Sequence, residues 1–344
     1  MQQPYPGLLT GSLVRVDYPE WADTALGGTM RTILIVAITA LLMAAMATDT
    51  VAQPREIRWQ YPTRTRGLAG AGRSFATASN ALFLNPAGLA LATQYVIEGT
   101  YAVGFDPLTH SVGTNWTDSY MNPWAAAGLG YSYLEGPDDG DLGKGAHALN
   151  GGLAVPLLKG DTRLIVGANM HWFRELKGMP DGKDRDLFTG DFGMILSVKD
   201  MFRLGVVGYN LLSLVDSKYK PALGMGASFW WSRLVFAFDV VADWDQFDES
   251  KAGLGLSGTD VVSDFGMTYA GGVILAASRM VMLRVGASHD QLNVRTEVAA
   301  GLSFMLPKGF GLEIAYHANV RDWYDSFLSF GLQLYPMSWS GGGG

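Results

Sequence analysis

GFGLEIAYHANVRDWYDSFLSFGLQLY, residues 309–335, carries the pattern on which the fold turns. Phe310, Leu312, Ile314 and Tyr316 alternate with Gly311, Glu313, Ala315 and His317. A period of two sends the first set to one face of a strand and the second set to the other. One face is uninterruptedly apolar, while the other mixes small residues with isolated charges. That combination suits the wall of a barrel with hydrocarbon outside and a lumen within, where small side chains leave room. After a short polar connection the pattern resumes in Ser326 to Tyr335, the last strand of the chain.

The same rhythm extends back to residue 94. Arg233 to Asp243 sets Leu234, Phe236, Phe238 and Val240 against Arg233, Ala237, Asp239 and Asp243. Leu292, Val294, Val298, Leu302 and Phe304 oppose Asn293, Arg295, Glu297, Gly301 and Ser303. Segments of about ten residues, the length a tilted strand needs to cross a bilayer, are expected at 94–105, 108–116, 124–134, 145–156, 162–174, 188–198, 202–211, 220–231, 233–243, 265–276, 280–289, 293–305, 309–318 and 326–335. The even total predicts an all-β, antiparallel, up-and-down transmembrane barrel of about 14 strands. With both ends of the chain in the periplasm, the turns at Lys199-Asp200-Met201, Ser232, Ala277-Ser278-Arg279 and Leu306-Pro307-Lys308 fall on the periplasmic side and are short. The opposite connections, Glu135 to Lys144, Glu175 to Leu187 and Trp244 to Asp264, are long and polar, as outward loops tend to be. Trp124, Trp172, Trp230, Trp231, Trp323, Tyr324 and Tyr335 lie near strand ends, where aromatic rings sit at the lipid headgroups.

Composition agrees. With 344 residues and no obvious linker, the chain reads as one unit. Its 44 glycines, 12% aromatic and 17% charged residues, with a mean hydropathy of +0.13, lie between a soluble surface and a helical membrane bundle. A net charge of -7 without basic runs argues against nucleic acid. The absence of cysteine excludes disulfides and thiolate metal sites. Five histidines without paired spacing predict no metal, and the Asp-rich stretches 137–141 and 181–186 lack the ligand spacing of a calcium loop. We expect no cofactor and no catalytic residues: there is no G-x-S-x-G, H-E-x-x-H or phosphate loop, and in Ser288-His289-Asp290 neighbours point to opposite faces of a strand.

Met30 and Arg31, the apolar run Ile33 to Ala47 and the compact Thr50-Val51-Ala52 read as a cleaved secretory signal, too short to span as a helix. The expected organisation is therefore an over-extended start at 1–29, a signal peptide at 30–52, a leading segment at 53–93, the barrel at 94–335 and a tail at 336–344. The implied location is the bacterial outer membrane. Its lipid, lipopolysaccharide and the barrel-assembly machinery are the expected surroundings.

The leading segment contains GLAGAGRSFATASNALFLNPAGLA, residues 67–90. This run resembles the N-terminal segment of the FadL superfamily of long-chain fatty-acid and hydrocarbon transporters and the related PorV-like barrels. Ser329 to Leu334 similarly resembles a barrel-assembly signal, although Pro336 to Gly344 follow it. The resemblance implies that the segment folds into the barrel as a plug, with Gly70, Gly72, Asn85, Pro86 and Ala87 as its motif. Physically, Gly67, Gly70 and Gly72 permit close approach to the wall, Ala69 to Leu82 favours an alanine-rich helix, the Asn85 amide can satisfy buried backbone, and Pro86 fixes a turn.

By the alternation, Glu98, Asn169, His171, Asp191, Asp239, Arg284, Arg295, Glu297, Glu313 and His317 face the lumen. Opposite charges there pair with one another or select a ligand, and Arg284, Arg295, Glu297, His171 and His317 are the candidate contacts, the two arginines for a carboxylate head group. The resemblance implies transport of hydrophobic or amphipathic small molecules, fatty-acid or hydrocarbon-like. The alternatives are a PorV-like scaffold for a secreted-protein partner, which the shorter chain suits, and a porin for hydrophilic solutes.

Overall fold

The computed structural model describes residues 58–105, 108–122, 124–136, 145–176, 185–212, 221–243, 266–291, 295–306 and 309–336. The expected start, the signal peptide, the Asp-rich stretch 137–141, most of the stretch 181–186 and most of the tail lie outside them. Fourteen strands form: β1 Tyr95–Phe105, β2 Leu108–Asp118, β3 Ala126–Glu135, β4 Gly145–Leu158, β5 Thr162–Leu176, β6 Arg185–Val198, β7 Phe202–Tyr209, β8 Ala222–Trp231, β9 Leu234–Asp243, β10 Gly266–Ala276, β11 Val281–Asp290, β12 Arg295–Leu306, β13 Phe310–Asn319 and β14 Ser326–Leu334. Each expected strand has its counterpart, with ends moved by a few residues.

Every strand pairs antiparallel with its sequence neighbours, and β1 closes the ring on β14, in register from Ile97 opposite Leu334 to Gly104 opposite Phe327. Closure leaves no unpaired edge, the condition for strands in hydrocarbon. Leu129, Leu149, Leu153, Phe192, Val285, Ile314 and Leu332 are exposed on the outside. Glu98, Asp239, Glu297, Glu313 and Gln333 are buried inside. This inversion of a soluble protein follows from the period-two pattern with lipid as the external solvent. The one register shift on β4, between Pro156 and Leu158, lies beside a proline that cannot donate to the ladder.

Trp230 and Tyr335 depart from the expected headgroup belt, the Tyr335 hydroxyl donating to the Gln333 amide oxygen at 2.8 Å inside the barrel. Trp230 meets Phe75 of the leading segment edge-on, ring centroids 5.7 Å apart, and lies under the Arg203 guanidinium at 4.0 Å. Its position shares the inward parity of Gly226 and Ser228 on β8, so it packs as an interior residue. Trp124, Trp323 and Tyr324 are exposed as expected.

The β6–β7 turn has positive φ at Lys199 (50°) and Asp200 (54°), the geometry that matches hairpin twist. Asp200 offsets that strain by accepting from Ser197 Oγ at 3.2 Å and pairing with Arg203 at 3.2 Å and with Arg163. Burial alone would raise its carboxyl, but Arg163 and Arg203 outweigh it and hold the carboxyl below its ordinary value of 3.8. A carboxyl depressed in the folded state stabilises above its unfolded value, and that stabilisation is lost as pH falls through the folded one. Urea unfolding in detergent at pH 7 and pH 3 should therefore show a smaller acid loss for Asp200→Asn than for wild type. Identical pH dependence would refute this role.

Candidate functional site

The leading segment is laid against the inner faces of strands on all sides of the ring. It forms two single-turn helices, α1 Thr63–Arg66 and α2 Ala81–Leu84, and 3-10 turns at Arg58–Gln60, Ala78–Asn80 and Pro86–Ala90. The expected helix over Ala69 to Leu82 is absent. Ala69 (φ 51°), Gly70 (83°), Gly72 (138°) and Ala78 (52°) are left-handed, which breaks the helical ladder four times. The wall supplies acceptors in its place: Asp239 Oδ2 takes the N–H of Gly72 at 2.6 Å and of Arg73 at 2.9 Å. A bent chain that follows the wall exchanges helical hydrogen bonds for these.

Three polar anchors fasten the segment. Arg73 pairs with Asp239 at 3.1 Å and donates from Nε to the Tyr209 hydroxyl at 2.8 Å, and that hydroxyl donates to the Leu84 carbonyl at 2.6 Å. Asn85, fully buried, donates to the carbonyls of Arg73 at 3.0 Å, Met194 at 3.2 Å and Val206 at 3.3 Å, while its Oδ1 accepts from Ala87 N–H at 3.2 Å. Pro86 then opens the 3-10 turn, where its missing N–H costs nothing. Across the lumen, Arg64 reaches Glu313 at 2.9 Å and the Gln333 amide oxygen at 2.9 Å, and Gln333 in turn donates to Glu98 at 3.2 Å. Ser79 also donates to Glu98.

Inner-face glycines allow the close approach. A Cβ at Gly67 would stand 3.1 Å from the Gly301 Cα, and one at Gly286 would stand 2.4 Å from the Leu68 carbonyl carbon. Of the expected motif, Gly70 and Gly72 lie in the left-handed bends, and Asn85, Pro86 and Ala87 form the second anchor.

The candidate ligand contacts do not converge as one set. His171 lies between Asp191, at 2.8 Å, and Asn150, at 2.5 Å, toward β4–β6. Arg284 bonds to Ser303 and lies 3.5 Å from Glu313, in the half of the barrel that bears the short turns. Arg295, Glu297 and His317 do meet: Arg295 is 2.5 Å from Glu297 and 2.6 Å from Asp325, and His317 Nε2 is 3.0 Å from Glu297. They line one side of a cavity of about 90 Å³ whose other walls include Trp59, Tyr61, Arg66, Arg73, Ser288 and Phe327. It lies near the β11–β12 and β13–β14 connections, at the end of the barrel that bears the long loops. Ser288 bonds to Glu297 at 3.2 Å and His289 to Thr296 at 2.9 Å, so the Ser-His-Asp run is divided between different partners. Among the described residues no group of His, Asp or Glu is arranged to hold a metal.

Sequence reasoning gave no role to Arg64 or Arg66. The available signal was several arginines in a short glycine- and alanine-rich run, where a cation has no neighbour in sequence to pair with.

No family model matches the chain, and no curated protein is similar to it in sequence. Solved structures are similar in fold. A FadL homologue from Pseudomonas aeruginosa superposes with a TM-score of 0.55 at 12% identity, covering 84% of this chain and 100% of that one. The toluene transporter TbuX of Ralstonia pickettii gives 0.59 at 12% identity, covering 80% and 98%. The toluene transporter TodX of Pseudomonas putida gives 0.53 at 13% identity, covering 83% and 99%. The chain thus shares the FadL-type barrel fold, and a closed ring of this kind with an apolar exterior is an outer-membrane protein of bacteria.

Proposed function

We propose that this barrel, sharing its fold with those transporters, carries hydrophobic or amphipathic small molecules across the outer membrane, and that the leading segment is the plug that controls passage. One observation carries the reading: residues 58–93 are fastened to opposite walls by separate polar anchors yet leave a cavity with aromatic walls on the loop side. A segment serving only to stabilise the barrel would gain by filling that space. An apolar solute loses its water shell on entering such a cavity and moves down its gradient once the segment shifts. Arg284, Arg295, Glu297, His171 and His317 belong to the polar lining such a solute would meet.

Liposomes containing the purified protein should take up toluene or a long-chain fatty acid faster than empty ones, without steady ion conductance. Absence of flux with co-purification of a secreted protein would replace transport by the scaffold reading. A steady large ion conductance would point to a hydrophilic porin.

A further inference from the structure

The cavity on the loop side is lined by one arginine that pairs with no carboxylate among the described residues. Arg73 has Asp239, and Arg295 has both Glu297 and Asp325, the first of which also faces His317. Arg66 lines the same cavity, is buried, and pairs with no carboxylate among the described residues. Its Nε donates to the Tyr61 carbonyl at 2.9 Å, and one terminal nitrogen, Nη2, donates to the Trp59 carbonyl at 2.5 Å and weakly to Ser111 Oγ at 3.5 Å. The other, Nη1, has no hydrogen bond among the described residues. These acceptors are neutral, so they orient the guanidinium without discharging it. The Phe327 ring lies 5.4 Å from the guanidinium carbon and stacks with His317 at 6.1 Å.

A buried cation without a counter-charge is costly, and a guanidinium with a free terminal nitrogen can lower that cost by taking an anion. We propose that Arg66 is a specificity-determining residue that makes this cavity a subsite for a small aryl monocarboxylate, the carboxylate on Nη1 and the ring between Trp59, Tyr61 and Phe327. Arg66 offers one uncommitted nitrogen, Nη1, which suits a carboxylate oxygen better than a phosphate dianion, whose three oxygens need several donors. Three aromatic walls favour a flat ring, since offset and edge-on contacts are available around it. Of the two arginines the sequence suggested for a carboxylate, Arg284 faces Glu313 and Arg295 pairs with Glu297 and Asp325.

As a substrate assignment the inference rests on the transport reading, but the subsite can be tested apart from it. Full-length protein in detergent is titrated calorimetrically with benzoate and with benzyl alcohol, a neutral molecule of similar shape. Benzoate should bind about tenfold more tightly. Arg66→Gln should abolish that preference while benzyl alcohol binds as before, and Arg66→Lys should keep part of it. The wild-type comparison needs no variant, so poor folding of one leaves the test intact. Equal affinities, no saturable benzoate binding, or an undiminished preference in folded Arg66→Gln would each overturn the subsite. Toluene flux into liposomes with no benzoate preference in detergent would spare the transport reading alone, and benzoate preference without any flux would spare the subsite alone.

Discussion

Asp239→Ala is expected to loosen the leading segment while leaving the barrel closed. The carboxylate is fully buried, and its Oδ2 serves three donors: Gly72 N–H at 2.6 Å, Arg73 N–H at 2.9 Å and the Arg73 guanidinium at 3.1 Å. Removing it leaves a buried cation and two buried amides to find other partners, a loss of about 3–5 kcal/mol. At about 1.4 kcal/mol per factor of ten, the detached population rises by roughly two to three and a half orders of magnitude. Strand β9 keeps its ladders to β8 and β10, which are backbone bonds that the side chain does not make. The variant should therefore still migrate as a folded barrel on an unheated gel, while its ion conductance in planar bilayers rises well above wild type. Asp239→Asn, which retains an acceptor and loses the charge, should fall between. A folded Asp239→Ala barrel with unchanged conductance would refute the view that this contact holds the segment in place.

Gly193→Ala should dislodge the segment from the other side. A Cβ at Gly193 would lie 2.0 Å from Asn85 Oδ1 and 2.9 Å from Pro86 Cδ. The Asn85 amide cannot swing away without abandoning its bonds to the carbonyls of Arg73, Met194 and Val206. Overpacking together with those lost bonds should amount to at least about 3 kcal/mol. Gly167→Ala meets the same limit, since its Cβ would stand 2.5 Å from the backbone nitrogen of Ala87. Gly99→Ala is the control, with no atom within 4 Å of its Cβ. Conductance should increase in the first two variants and stay at the wild-type level in the third. If all three behave alike, the close approach of segment to wall has no bearing on passage.

Much of this interior was legible in the residues. Glu98, Asp239, Glu297 and Glu313 could be assigned to the lumen because a strand alternates, so one well-placed apolar neighbour fixes which way each charge faces. The chemistry of Asn85 was readable for a similar local reason: an amide beside a proline can cap the turn that follows. The helix over Ala69 to Leu82 failed because alanine content reports an intrinsic preference, whereas the Gly72 and Arg73 amides donate to Asp239, more than a hundred positions away. Trp230 failed for a related reason, being judged by its nearness to a strand end when its parity and Phe75 make it an interior residue.

Period-two alternation, segment length and the contrast of short turns with long loops determined the barrel, its strands and its membrane-facing side by themselves, because each is set by a few consecutive residues and the solvent around them. Which arginine meets which carboxylate, and which one meets none, was decided only when the leading segment folded back against the wall. Arg64, Arg66 and Arg73 lie within ten residues of sequence, yet their surroundings come from strands on different sides of the ring. Charge pairing across a lumen depends on distances that only the closed barrel sets.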